Sequence, residues 1–164
     1  LTEATNTTNH SVLLSELNRL TGGINLLRIF VSFLFFFLFG YLMYSSLFAA
    51  VGSAVDAEAD TQQFMLPITI PLILSFILIQ PVMDNPDGAL AFWLSIIPLT
   101  SPIIMMVRLP FGVELWELGL SMILLVIGFI TTTYLAAKIY RTGILMYGKK
   151  ISYKELWKWL SYKG

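Results

Sequence analysis

No cysteine occurs in the 164 residues, which excludes a disulfide scaffold, a thiol nucleophile and any zinc centre built on thiolates. Histidine occurs once, at His10, so general-base and imidazole-ligand chemistry have almost nothing to draw on. Charge is scarce as well. Only 12% of residues are charged, about half of what the surface of a soluble domain needs. Ten basic and ten acidic residues give net zero, so no basic field exists to hold nucleic acid. Neither G-x-x-x-x-G-K-[ST] nor G-x-G-x-x-G is present, which leaves no recognisable nucleotide site. What remains is 57% hydrophobic, with a mean hydropathy of +0.78. That is the composition of a membrane protein.

Four runs lack any charged residue: 29–55, 61–83, 88–107 and 118–137. Each is long enough to cross a hydrocarbon core of about 30 Å as a helix. The first is rich in Phe and Leu, then turns small, with Ser45, Ala49 and Ser53 at four-residue spacing and Ser46, Ala50 and Ala54 beside them. Such stripes let a second helix approach closely in lipid, so Ser45, Ala49 and Ser53 are candidate helix-packing positions. The second run carries Pro67 and Pro71, which predict a kink near its start. The third is interrupted by Pro98-Leu99-Thr100-Ser101-Pro102, a pattern of two short helices meeting at a turn. The fourth is an uninterrupted span, entered past Glu114 and Glu117 and left through Lys138 and Arg141.

Residues 1–23 form a polar lead-in with two N-x-[ST] matches, and the start at Leu1 reads as the C-terminal part of a longer chain. At the other end, Ser152 and Glu155 make a capping box. Tyr153, Leu156, Trp157 and Leu160 then share one helical face. With Trp159, Lys154 and Lys158 alongside, this predicts a helix lying in the membrane interface, with a soluble partner-binding helix as the competing and compatible reading. Between the first two runs, Asp56, Glu58, Asp60, Gln62 and Gln63 read as a short acidic connection, without the glycine or spacing of a calcium loop.

Lys138, Arg141, Lys149, Lys150, Lys154, Lys158 and Lys163 cluster after the last run, which places the C-terminus in the cytoplasm. Whether the third run crosses or re-enters stays open on physical grounds. Counting basic residues favours crossing, and the proline content favours re-entry. No ionisable residue lies inside any run, which argues against an intramembrane proton relay and against a membrane protease. No catalytic, cofactor-binding or metal-binding residue emerges.

Three segments in order, GYLMYSSLFAAVGSAVDAEADTQQFMLPITIPL, FWLSIIPLTSPIIMMVRLP and IYRTGILMYGKKISYKELWKWL, resemble the C-terminal half of ABC-2 type transporter permeases, in the branch named for sodium efflux. The resemblance covers about Phe39 to Lys163. It implies an all-α membrane protein with three transmembrane helices, a re-entrant helical hairpin and a C-terminal interfacial amphipathic helix. The spans would fall at about 28–55, 64–83 and 117–140, with the hairpin at about 88–107. The domains would be a lead-in at 1–23, a membrane domain at 24–147 and an interfacial helix at 148–164. Pro98, Thr100, Ser101 and Pro102 would form an outer gate, and the acidic connection would touch a cytoplasmic ATP-binding-cassette ATPase subunit. Further partners implied are a second permease copy or sister permease, the N-terminal half of the permease, and the lipid of a bacterial inner membrane. The competing function is a non-transporting helical scaffold subunit of a larger membrane complex.

Overall fold

The computed structural model describes residues 26–55 and 58–143, all of them helix or short connection. The uncharged runs become helices because a backbone surrounded by lipid must satisfy its polar groups internally. Helix α1 spans Leu26–Ala54 and α6 spans Leu115–Gly143, each of 29 residues and therefore about 43 Å long. Both exceed what a bilayer crossing requires. Between them lie α2 (Glu58–Ile77), α3 (Ile79–Asp84), α4 (Ala89–Ile96) and α5 (Ser101–Arg108), followed by a 3-10 turn at Leu109–Phe111.

Helices α1 and α6 form the main interface, and they run in the same direction. Arg28 Nη2 donates to the carbonyl of Val113 at one end, and Ser46 Oγ donates to Thr132 Oγ1 further along. The residue offset between partners is nearly constant, which only parallel helices can maintain. The core beneath them gathers Phe36, Met43 and Tyr44 from α1, Met105 from α5, and Leu118 and Leu125 from α6. The outward faces stay apolar. Phe33 stacks on Phe37 with centroids 5.8 Å apart, Phe37 stacks on Tyr41, and all three are exposed. An apolar surface this continuous requires lipid or protein against it.

One local expectation is corrected, that of the acidic connection, and the proline-bearing run gains detail. Helix α2 is unbroken through Pro67 and Pro71, and the interruption falls at Leu78, three residues before Pro81. Hydroxyls bond along the same stretch, Thr69 Oγ1 to the Met65 carbonyl at 3.0 Å and Ser75 Oγ to the Pro71 carbonyl at 2.7 Å. Each is the hydroxyl of a helical Ser or Thr bonded back to its own i−4 carbonyl, which leaves the helix without a free polar group at that position. The acidic stretch read as a connection is helical from Glu58 onward. Acidic residues suit the first turn of a helix, where the unsatisfied N–H groups carry partial positive charge.

Candidate functional site

Helices α4 and α5 have eight residues each, about 12 Å, and a four-residue turn at 97–100 joins them. Neither could cross a bilayer alone. They pack against each other and wedge between α1 and α6. The wedge is seated by two glycines. A Cβ placed on Gly40 of α1 would lie 2.9 Å from both Cβ and Cγ of Pro102. One placed on Gly128 of α6 would lie 2.8 Å from Pro98 Cβ and 3.2 Å from its Cγ. Each proline ring therefore occupies a notch that only glycine leaves open.

The turn is non-helical backbone inside an apolar bundle, so its carbonyls need identified partners. Pro98 has no N–H for the Leu94 carbonyl, and Thr100 Oγ1 takes that place at 2.5 Å. Ile97 O accepts from the N–H groups of Thr100 and Ser101 at 3.0 and 2.8 Å. Pro102 likewise withholds an N–H from Pro98 O, which receives only a long contact of 3.5 Å from Ser101 Oγ. Leu99 O accepts from Tyr44 OH of α1 at 2.5 Å. Pro98, Thr100, Ser101 and Pro102 are thus brought together at one point. Two give the turn its shape, and two supply hydroxyls to carbonyls the prolines leave open.

The other end of the hairpin is held by charge. Arg108 closes α5 and is only 2% exposed, the largest fully buried side chain among the described residues. Its Nε donates to Pro86 O at 2.7 Å and its Nη1 to Ser95 Oγ at 2.6 Å, while Nη2 lies 2.9 Å from Glu117 Oε2 of α6. Ser121 Oγ of α6 donates in turn to Ser95 O at 2.6 Å. One guanidinium so connects the 85–88 connection, α4, α5 and α6. Sequence reading placed Glu117 at the entry to the fourth run, gave Arg108 no role, and missed this junction. The available signal was a lone arginine nine residues ahead of Glu117, with Ser95 thirteen residues before it.

The candidate packing residues sit differently. Ala49 is exposed, and Ser45 and Ser53 are half-buried. The contact made within the chain uses the adjacent stripe, where Ser46 reaches Thr132 and Ala50 and Ala54 are buried. Ala49 instead lines an apolar groove of about 730 Å³ between the second halves of α1 and α6, together with Ser46, Thr133, Ala136 and Tyr140. In the candidate ATPase-contact stretch, Gln62 and Gln63 are exposed on α2 and Glu58 and Asp60 belong to its first turn. Asp56 lies outside the described residues, as do Tyr153, Lys154, Trp157, Lys158 and Trp159.

A family model described as ABC-2 family transporter protein matches residues 11–138, more than three quarters of the chain. No curated protein matches the sequence. No solved structure matches it either.

Proposed function

Because the chain belongs to the ABC-2 family of transporter proteins, membrane components of ATP-binding-cassette transporters, we propose that it forms part of an export path driven by a separate cytoplasmic ATPase subunit. The observation that carries this reading is the hairpin wedged between two long parallel helices. If α1 and α6 both cross the bilayer, they cross in the same sense, and the chain between them must return once. Helices α2 and α3 supply that return, and the short α4–α5 pair enters and leaves on one side. Three traverses follow, with the basic residues after α6 in the cytoplasm and the hairpin turned toward the exterior.

In this arrangement the tip at Pro98–Pro102 closes the outer end of the path. The groove beside Ala49 opens toward the cytoplasmic half, and Ser45, Ala49 and Ser53 face a second permease copy or a sister subunit. Rigid-body shifts of α1 against α6, driven by ATPase closure, would unseat the tip. The start of α2, including Gln62 and Gln63, lies on the cytoplasmic side where an ATPase subunit can touch it. The likeness of three ordered segments supports placing the chain in the C-terminal half of a sodium-efflux-like permease of a bacterial inner membrane.

Two measurements test this. An ATP-binding-cassette ATPase should co-purify with the chain from mild detergent, and a stable complex without one overturns the exporter reading. Since the sequence has no cysteine, single cysteines at Thr2 and Lys163 can be labelled without background. An impermeant maleimide should reach them from opposite faces of the membrane. Labelling from one face would overturn the three-traverse topology.

A further inference from the structure

A buried guanidinium in an apolar bundle is costly to maintain unless every donor is used. Arg108 directs its donors to three segments, the 85–88 connection, α4 and α6, and joins them to its own α5; these segments are unequal in what else holds them. The hairpin tip meets α1 through Gly40 and the Tyr44 hydroxyl, and α6 through Gly128. Among the described residues, the charged attachment of the hairpin is to α6, through Glu117, with Ser121 bonded to Ser95 beside it. The guanidinium also ties the connection at Pro86 to α4 and α5, so that these pieces form one body.

We propose that Arg108 and Glu117 are positioning residues for transport: their ion pair makes the α4–α5 hairpin travel with α6, so that movement of α6 relative to α1 carries the tip out of its seat. Geometry favours this division. Shape complementarity at Gly40 is lost once α1 slides by an ångström or so, because packing contacts decay steeply with separation, whereas the Gly128 notch belongs to α6 and moves with the hairpin. A charge-assisted pair in low dielectric is stronger and tolerates small rotations of both side chains. The seat of the tip on Gly40 and Tyr44 of α1 is therefore the contact that opens, and the Arg108–Glu117 junction is the contact that persists. This rests on the exporter reading for its role in transport, whereas the mechanical linkage of hairpin to α6 stands independently of it.

The test separates the two. Nitroxide labels are placed on the cysteine-free chain in liposomes, at exposed Leu90 of α4, Ile123 of α6 and Leu38 of α1. Double electron–electron resonance then gives the α4–α6 and α1–α6 distance distributions. In Glu117→Gln the α4–α6 distribution should gain a longer component while the α1–α6 distribution keeps its wild-type shape. An unchanged α4–α6 distribution overturns the linkage, and so does equal broadening of both, which would mean general loosening. Should Glu117→Gln fail to insert, Glu117→Asp withdraws the carboxylate by one methylene while keeping its charge. It should show the same component at lower amplitude.

The second arm uses the chain assembled with its ATPase. Glu117→Gln should leave ATP hydrolysis near wild type and lower transport about tenfold or more, the equivalent of about 1.4 kcal/mol of lost ion-pair attraction. Glu117→Asp should restore part of that loss. Wild-type transport in a Glu117→Gln protein whose α4–α6 distribution has broadened would overturn the role in transport. Failure to find any ATPase partner would instead count against the exporter reading and leave the distance measurement to judge the linkage.

Discussion

Replacing Gly128 by alanine asks how closely the hairpin is fitted. The added carbon would sit 2.8 Å from Pro98 Cβ and 3.5 Å from Met43 Sδ, where non-bonded carbons ordinarily rest about 3.5–4.0 Å apart. The neighbour in the way is a proline ring in a hydrogen-bonded turn, without a side-chain rotamer into which to withdraw. Overpacking of this kind costs about 1–3 kcal/mol. Against it stands the helix-forming advantage of alanine over glycine, about 0.5–1 kcal/mol. The variant should therefore be destabilised by up to about 2.5 kcal/mol, and by about 1–3 kcal/mol relative to a glycine replaced without crowding. Gly119 supplies the control on the same helix, since nothing lies within 4 Å of the carbon it would gain. Gly119→Ala should collect the helical advantage alone. The assay is reversible unfolding in mixed micelles, followed by helical circular dichroism. A midpoint for Gly128→Ala equal to or above that of Gly119→Ala would refute the notch. Gly40→Ala, with contacts of 2.9 Å to Pro102, extends the reasoning. If the turn is one stiff piece, lifting it off one glycine relieves the other. The double variant should then cost less than the summed singles by about 0.5 kcal/mol or more.

Two further substitutions probe neighbouring contacts. Tyr44→Phe leaves the Leu99 carbonyl without its donor, and the same unfolding assay should show a loss of about 1–3 kcal/mol; an unchanged midpoint would mean the turn finds another partner. Ala50→Leu, at a buried position, should lower single-chain stability by about 1–3 kcal/mol, whereas Ala49→Leu on the exposed groove should spare the fold and weaken association with a second copy. Equal losses of stability from the two would refute the assignment of faces.

Much of the architecture is legible in charge-free runs, because twenty or more uncharged residues have few options other than a helix in lipid. What escaped came from information that runs do not contain. Arg108 stands one residue beyond the end of the third run, and a count of charges by run assigns it to the water. Its long side chain instead reaches back along the hairpin to Ser95, and the partner that makes this affordable, Glu117, sits on another helix. The stripe at Ser45, Ala49 and Ser53 differs from that at Ser46, Ala50 and Ala54 by one residue, a rotation of about 100°. Both are small throughout, so composition gave no reason to prefer the one that contacts Thr132. Pro67 and Pro71 withhold N–H groups from the carbonyls of Gln63 and Pro67, and the helix runs on past both prolines to Ile77.

The two ends of the hairpin answer different physical problems. Lipid offers no hydrophobic force to press one apolar helix on another, so a wedge deep in the bundle must be held by fit. Gly40, Gly128 and the two prolines provide fit without charge, and every hydroxyl nearby is bonded to backbone carbonyls. A charge at that depth would resist movement, because exposing it to hydrocarbon during opening is prohibitive. At the other end, where the chain enters and leaves the bundle, a charged pair can bind firmly. Placing shape where contacts must separate and charge where they must hold is what a movable wedge requires. It also predicts which failures look alike. Crowding a glycine disturbs the tip itself, whereas neutralising Glu117 loosens the hairpin from α6 at its other end.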